Sequence, residues 1–219
     1  DLAGVSVLAH NWNAGVYGHW LVEGLPKLLY LRTLPINPSR FIVESTVQPH
    51  VVQWIKRIFP EIEIETYDPV SQYVRCETLI TPTMTCSPRY VFHPTLLPLF
   101  QSLAVARRPE KLLYLDRPWR GRFHWMENDE EVQDVARSFG FEVFSPIEHT
   151  IEQQIETFAC ARVIAGDYGS ALHNSILSPP ETRVLCFNWV TFIQSRIAQL
   201  CGQAIGFQLG RTGAPLTFE

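Results

Sequence analysis

The sequence predicts an α/β protein of parallel sheets, divided into two halves. Short apolar runs of strand length recur along the chain, and helical apolar stripes lie between many of them. A polar, proline-broken stretch, Arg107-Arg108-Pro109-Glu110, interrupts the alternation near its middle. Strand and helix in alternation call for parallel pairing through crossover helices. A division near residue 109 gives halves 1–109 and 110–219, each of about 100 residues and able to bury its own core.

The elements follow in order. Val5 to Ala9 reads as the first strand, and Leu21, Leu25, Leu28 and Leu29 mark one face of the helix after it. Strands are expected at Arg40 to Glu44, Ile62 to Thr66 and Glu77 to Thr81, then a helix at roughly 94–107 and a strand at Lys111 to Leu115. Val132, Val135, Ala136 and Phe139 recur at helical spacing after Asn128, an N-cap residue followed by three acids that suit the positive helix end. After a strand at Phe141 to Phe144, Ile151, Ile155, Phe158 and Ala159 form a second stripe, opened by a Thr150/Gln153 capping box. Strands at Arg162 to Ala165 and Arg183 to Phe187 complete the pattern, which contains no internal repeat.

Composition excludes several classes. With 46% hydrophobic and only 18% charged residues the chain is globular. A net charge of −4, with Lys and Arg scattered outside Arg107-Arg108 and Arg117 to Arg122, gives no footprint for nucleic acid. The 5 cysteines, at 76, 86, 160, 186 and 201, form no CxxC pair and read as free thiols in a reducing compartment, the other reading being a Cys76–Cys86 disulfide in an oxidising one. No apolar run approaches the roughly 18 residues of a membrane span, and no leader pattern opens the sequence. The expected location is cytoplasmic, with any membrane association supplied by partners or by a segment outside this sequence.

Three constellations can carry chemistry. In YGHWLVEGLPKL (17–28), His19 and Glu23 stand one helical turn apart and can meet one ligand. Equally, Glu23 can pair with Lys27, leaving His19 as a cap or a core histidine. A zinc site would need a third ligand, and no HExxH spacing supplies one, so no metal is expected. In YLDRPWRGRFHW (114–125), a strand runs into a loop holding Arg117, Arg120 and Arg122, whose guanidinium forks match phosphate oxygens. Asp116 is placed to orient one of them, although such a loop can also be a solvated turn facing Glu127 to Glu131. In VIAGDYGSALHNSIL (163–177), a strand ends in Gly166, Gly169 and Ser170 just where a helix begins, an arrangement that offers bare amides to a diphosphate. GDYGS is neither GxGxxG nor a P-loop, and it lacks the GxSxG elbow that a serine hydrolase would show.

Taken in order, GHWLVEGLPKL, YLDR, NDEEV, the helical Glu152-Gln153 and AGDYGSALHN resemble glycosyltransferase family 61 over almost the full chain. The resemblance implies a GT-B-like architecture, two Rossmann-like halves facing across a cleft. It also implies transfer of a sugar from a nucleotide-activated donor, with inversion and without a required metal. The C-terminal half would hold the donor: Arg117, with Arg120 or Arg122, and the turn at Tyr168, Gly169, Ser170, Ala171, His173 and Asn174. The N-terminal half would hold the acceptor, with His19 or Glu23 as general base. Asn11 and Asn13 would contact sugar hydroxyls, and Trp119 a sugar face, whereas Trp20, on a helix, reads as core.

Three positions depart from the family pattern: Tyr168 stands where it usually has histidine, His173 where it usually has threonine or a similar residue, and Asp129 where it has glutamate; the spacing from Arg122 to Asn128 is also longer than usual. Tyr168 is thus expected to stack on a base or sugar. UDP is the leading nucleotide, although charge separates it from GDP in no way, and the acceptor is a glycan of the kind found in bacterial surface or capsular polysaccharide. The alternative is a non-catalytic nucleotide- or carbohydrate-binding module on the same fold. A hydrolase using Ser170 or Cys160 is the weakest reading.

Overall fold

The structure is a computed structural model and describes residues 1–9, 15–87, 89–105, 107–117, 126 and 128–209. It forms two compact units, Asp1–Ser87 and Pro88–Glu219. The division therefore falls after Ser87 rather than near residue 109. The reason is burial: Phe92, Leu96, Phe100 and Leu103 are enclosed, and the helix α4 (Leu96–Gln101) packs on the segment Ser170–Leu177 of the second unit. The polar stretch at 107–110 is thus a link inside that unit.

In the first unit, β1 (Leu2–Leu8), β2 (Arg40–Glu44), β3 (Glu63–Tyr67) and β4 (Cys76–Ile80) form one sheet in the order β3-β2-β1-β4, parallel throughout. Helix α3 (Pro49–Ile58) crosses between β2 and β3 and buries Val51, Trp54, Ile55 and Ile58. Pro49 opens it, where a missing N–H loses no helical bond.

The segment after β1 is helical without a break: α1 (Tyr17–His19), a π turn (Trp20–Gly24) and α2 (Leu25–Leu31). The wide turn has a local cause. Pro26 has no N–H to donate, and its ring would crowd the carbonyl four residues back, so an ordinary α-helix cannot run through it unstrained. The Leu25 amide instead reaches the Trp20 carbonyl, five residues back. Trp20 is fully buried, so the core reading holds, and its indole lies against Gly24. A Cβ on Gly24 would stand 2.2 Å from Trp20 Cε3.

The second unit holds β5 (Lys111–Leu115), β6 (Glu142–Phe144), β7 (Ala161–Asp167), β8 (Arg183–Phe187) and β9 (Ala204–Gln208), parallel throughout in the order β6-β5-β7-β8-β9. Both sheets are open and Rossmann-like. Helices α5 (Asp129–Ser138), α6 (Ile151–Ala159) and α7 (Phe192–Cys201) cross between strands. The Thr150/Gln153 capping box is present, with both reciprocal bonds made. Asn128 does occupy the N-cap of α5, but its amide reaches Glu131 and its side chain makes no cap bond. Tyr114, Met126, Val132, Ala165 and Phe187 form a core cluster beneath the carboxyl ends of β5, β7 and β8.

All 5 cysteines are free, and Cys186 and Cys201 are buried. Burial pushes each of their thiols up to about 12, which removes them as nucleophiles at neutral pH. Among the described residues no helix is long and apolar enough to cross a membrane.

Gly24→Ala should destabilise the first unit by about 1–3 kcal/mol, because the indole has no room to retreat. A lower urea midpoint by near-ultraviolet circular dichroism, at an unchanged slope, is the expected result.

Candidate functional site

In an open parallel sheet every carboxyl end lies on one edge, and ligands bind where successive strands run in opposite directions from a starting strand. In the second unit the chain goes from β5 to β6 on one side and then to β7 on the other, so that point lies between β5 and β7. Leu115 pairs in register with Gly166, and the residues just past them, Arg117 and Asp167 to Ala171, meet there. Strand β7 runs to Asp167, so Gly166 is a sheet residue and the turn proper begins at Tyr168.

Arg117 is held from three sides. Its guanidinium donates to the Tyr168 carbonyl. The same Nη1 lies 3.6 Å from Asp167 Oδ2, with Asp167 nearly buried and Arg117 keeping 32% of its side chain exposed. The third side is Gly169, where a Cβ would come within 2.9 Å of Arg117 Cζ. A side chain there would push the guanidinium away from the backbone it lies against.

Asp167 is fixed in turn. Its Oδ1 accepts from the Tyr168 amide and from Asn188 Nδ2, both at 2.9 Å. Asn188 follows β8 in a left-handed conformation, φ 68°, which asparagine tolerates better than most residues. Burial raises the Asp167 carboxyl above its ordinary range, while Asn188, Arg117 and the Tyr168 amide act in the opposite direction. Asp116, the acid expected to orient one of the arginines, accepts from Gln133 Nε2 at 3.1 Å and from the backbone amide of Arg117. Gln133 also donates to Asp129, which accepts from the buried Tyr114 hydroxyl at 2.6 Å. Burial, and then Asp129, raise the Asp116 carboxyl.

After Gly169 the chain enters a tight 3-10 segment, Ser170–Leu177, whose first internal bond runs from the Leu172 amide to the Gly169 carbonyl. The Ser170 and Ala171 amides precede that bond, at a half-buried turn that opens the segment. His173 and Asn174 are enclosed, at 4% and 0% exposure, and Asn174 Nδ2 donates to the Ala171 carbonyl. They build the turn from inside. Tyr168 serves Arg117 through its backbone carbonyl, a group any residue supplies, so its departure from the family's histidine leaves that contact intact.

In the first unit, His19 Nδ1 and Glu23 Oε1 are 2.8 Å apart, with Glu23 buried and His19 27% exposed. With Glu23 ionised it can only accept, so in the neutral imidazole the proton sits on Nδ1 and the lone pair on Nε2. Lys27 is also buried; burial lowers its ammonium, and Glu23 and Cys86 oppose that shift. A hydrogen bond of Glu23 goes to His19, and Lys27 is near enough to feel the Glu23 charge.

Arg120, Arg122, Trp119, Asn11 and Asn13 lie outside the described residues. Among the described residues, no group of three or more His, Cys, Asp or Glu is arranged to hold a metal ion. Sequence reasoning missed Asp167 and Asn188. The signal for Asp167 was an acid at the end of an otherwise apolar strand; Asn188 had the same position after β8.

Arg117→Gln should move the Asp167 titration upward. Loss of the positive charge disfavours the carboxylate, so its midpoint, followed by carboxyl-carbon NMR, should lie above the ordinary aspartate range in the natural chain and higher still in the variant.

The family model for glycosyltransferase 61 matches residues 17–185. No curated protein matches the chain.

Proposed function

Because this chain belongs to glycosyltransferase family 61, we propose that it moves a sugar from a nucleotide-activated donor to a carbohydrate acceptor, with inversion and without a required metal. The observation that carries this reading is the clamped Arg117 beside the Ser170 and Ala171 amides, at the β5/β7 edge of the second unit. A departing nucleoside diphosphate needs its growing negative charge met by fixed donors. One guanidinium and two or more amides can supply them. A GT-B pairing of the two units is part of the proposal; the family supports it, and each unit has the open parallel sheet it requires.

In this mechanism His19 is the base and Glu23 its orienting partner. Nε2 takes the proton of an acceptor hydroxyl, and the oxygen attacks the anomeric carbon from the face opposite the diphosphate. The bond to the diphosphate breaks, and its electron pair leaves with the phosphate oxygen, next to Arg117. The imidazolium formed on His19 is stabilised by the Glu23 carboxylate on Nδ1. UDP remains the leading nucleotide, and a polysaccharide the leading acceptor.

Two measurements test this. UDP or GDP at about 100 times its dissociation constant should stabilise the protein by about 2.7 kcal/mol, a rise in thermal midpoint that survives EDTA and vanishes in Arg117→Ala. A chain that no nucleotide stabilises would count against the donor site. Separately, His19→Ala should lower sugar transfer by ~10²–10⁴ while keeping the nucleotide-induced shift, and unimpaired transfer would remove His19 as base.

A further inference from the structure

The carboxyl edge of the second sheet has another feature, between β8 and α7. There, Asn188-Trp189-Val190-Thr191-Phe192 presents three large apolar side chains to solvent: Trp189 at 46%, Val190 at 56% and Phe192 at 78% exposure. Their backbone is tied down at Asn188, Trp189 and Thr191. The Asn188 amide donates to the Gln208 carbonyl at 2.9 Å, and its side chain reaches back to Asp167. The Trp189 amide donates to Phe187, and its carbonyl accepts from the Cys186 thiol at 3.4 Å. Thr191 Oγ1 then accepts from the Ile193 amide to cap α7. An aromatic ring on a fixed backbone is suited to stacking, since little freedom is lost when a ligand arrives.

We propose that Trp189 stacks on the base of the nucleoside diphosphate, with Val190 and Phe192 extending the apolar surface beside it. The proposal rests on the reading of the Arg117 and Gly169 turn as a diphosphate site. β8 is the parallel neighbour of β7, and Phe187 pairs in register with Asp167. Trp189 therefore leaves the sheet one strand, about 4.8 Å, away from the turn that would hold the phosphates. Asn188 links the two loops directly through Asp167, which in turn holds Arg117. A nucleoside attached to phosphates at Ser170 and Ala171 extends along this edge, and on the β8 side it meets Trp189.

Other occupants fit less well. Three side chains fall far short of the roughly twenty residues a side that a stable protein interface takes. A net charge of −4 disfavours an anionic membrane surface. Trp189 also lies beyond the matched family segment, which ends at residue 185.

The test compares binding of UDP, GDP and inorganic pyrophosphate to the natural chain, Trp189→Ala and Trp189→Phe at one fixed salt concentration. Trp189→Ala should weaken UDP or GDP by about tenfold or more and leave pyrophosphate unchanged, and Trp189→Phe should restore most of the loss. Equal loss for nucleotide and pyrophosphate, or no loss for either, would overturn the base contact while leaving the diphosphate site standing. A dimer that disappears in Trp189→Ala with nucleotide affinity unchanged would overturn it as well. A natural chain that binds neither pyrophosphate nor nucleotide would overturn the diphosphate site and the base contact together.

Discussion

The ion pair between Arg117 and Asp167 joins two strand ends that are fifty residues apart in sequence and adjacent in the sheet. A buried carboxylate is expensive unless neighbours compensate it, at several kcal/mol for an uncompensated ion. Asp167 is compensated by two neutral donors on one oxygen and a partly exposed guanidinium on the other. Because Arg117 keeps about a third of its side chain in solvent, the pair lies between a surface bridge and a core one. That intermediate position suits a binding group: the arginine is fixed well enough to have one orientation, yet still open to an incoming anion.

The first unit solves a related problem differently. Glu23 is enclosed by a helix that is buried nearly all round, and its charge is met by the His19 ring proton and by a buried ammonium one turn on. The same neighbourhood raises the Cys86 thiol to about 11, through burial and then the Glu23 charge, so that Cys86 adds no competing nucleophile there. In both units a carboxylate with no solvent of its own orients a nitrogen-bearing side chain that does have some. Orientation by a shielded acid is an economical way to fix a reactive or binding group, since the acid has no alternative water partners.

Much of this was legible in the sequence where a single local rule decides the outcome. The runs at Arg40 to Glu44, Lys111 to Leu115 and Arg183 to Phe187 are strands with the expected bounds, because each is a short apolar run between turn residues. The Thr150 capping box fixed the start of α6. What was not legible depended on contacts distant in sequence. β9 is an edge strand with alternating exposure and a glycine, which weakens its pattern, and the unit boundary hinged on where Phe92 and Phe100 find their burial. Asp116 was expected to orient one of the loop arginines, but the Arg117 guanidinium pairs with Asp167, which sheet register brings beside it from fifty residues on. His173 and Asn174 stand out because they follow a glycine turn; that the tight 3-10 segment encloses both was not legible in the sequence.

The wide turn at Trp20–Gly24 has a consequence for which faces of its helix the first unit encloses. An α-helix advances 100° per residue, so one extra residue in a turn rotates everything after it by about that angle. Tyr17 and His19 thus keep a half-open face while Leu25, Leu28, Leu29 and Leu31 stay enclosed, although one continuous helix carries both sets. The two ends are out of phase. A change at the half-open first turn therefore falls on a different face of the helix from the enclosed leucines. Such a phase break separates a half-open turn from an enclosed one within a span of fifteen residues from Tyr17 to Leu31.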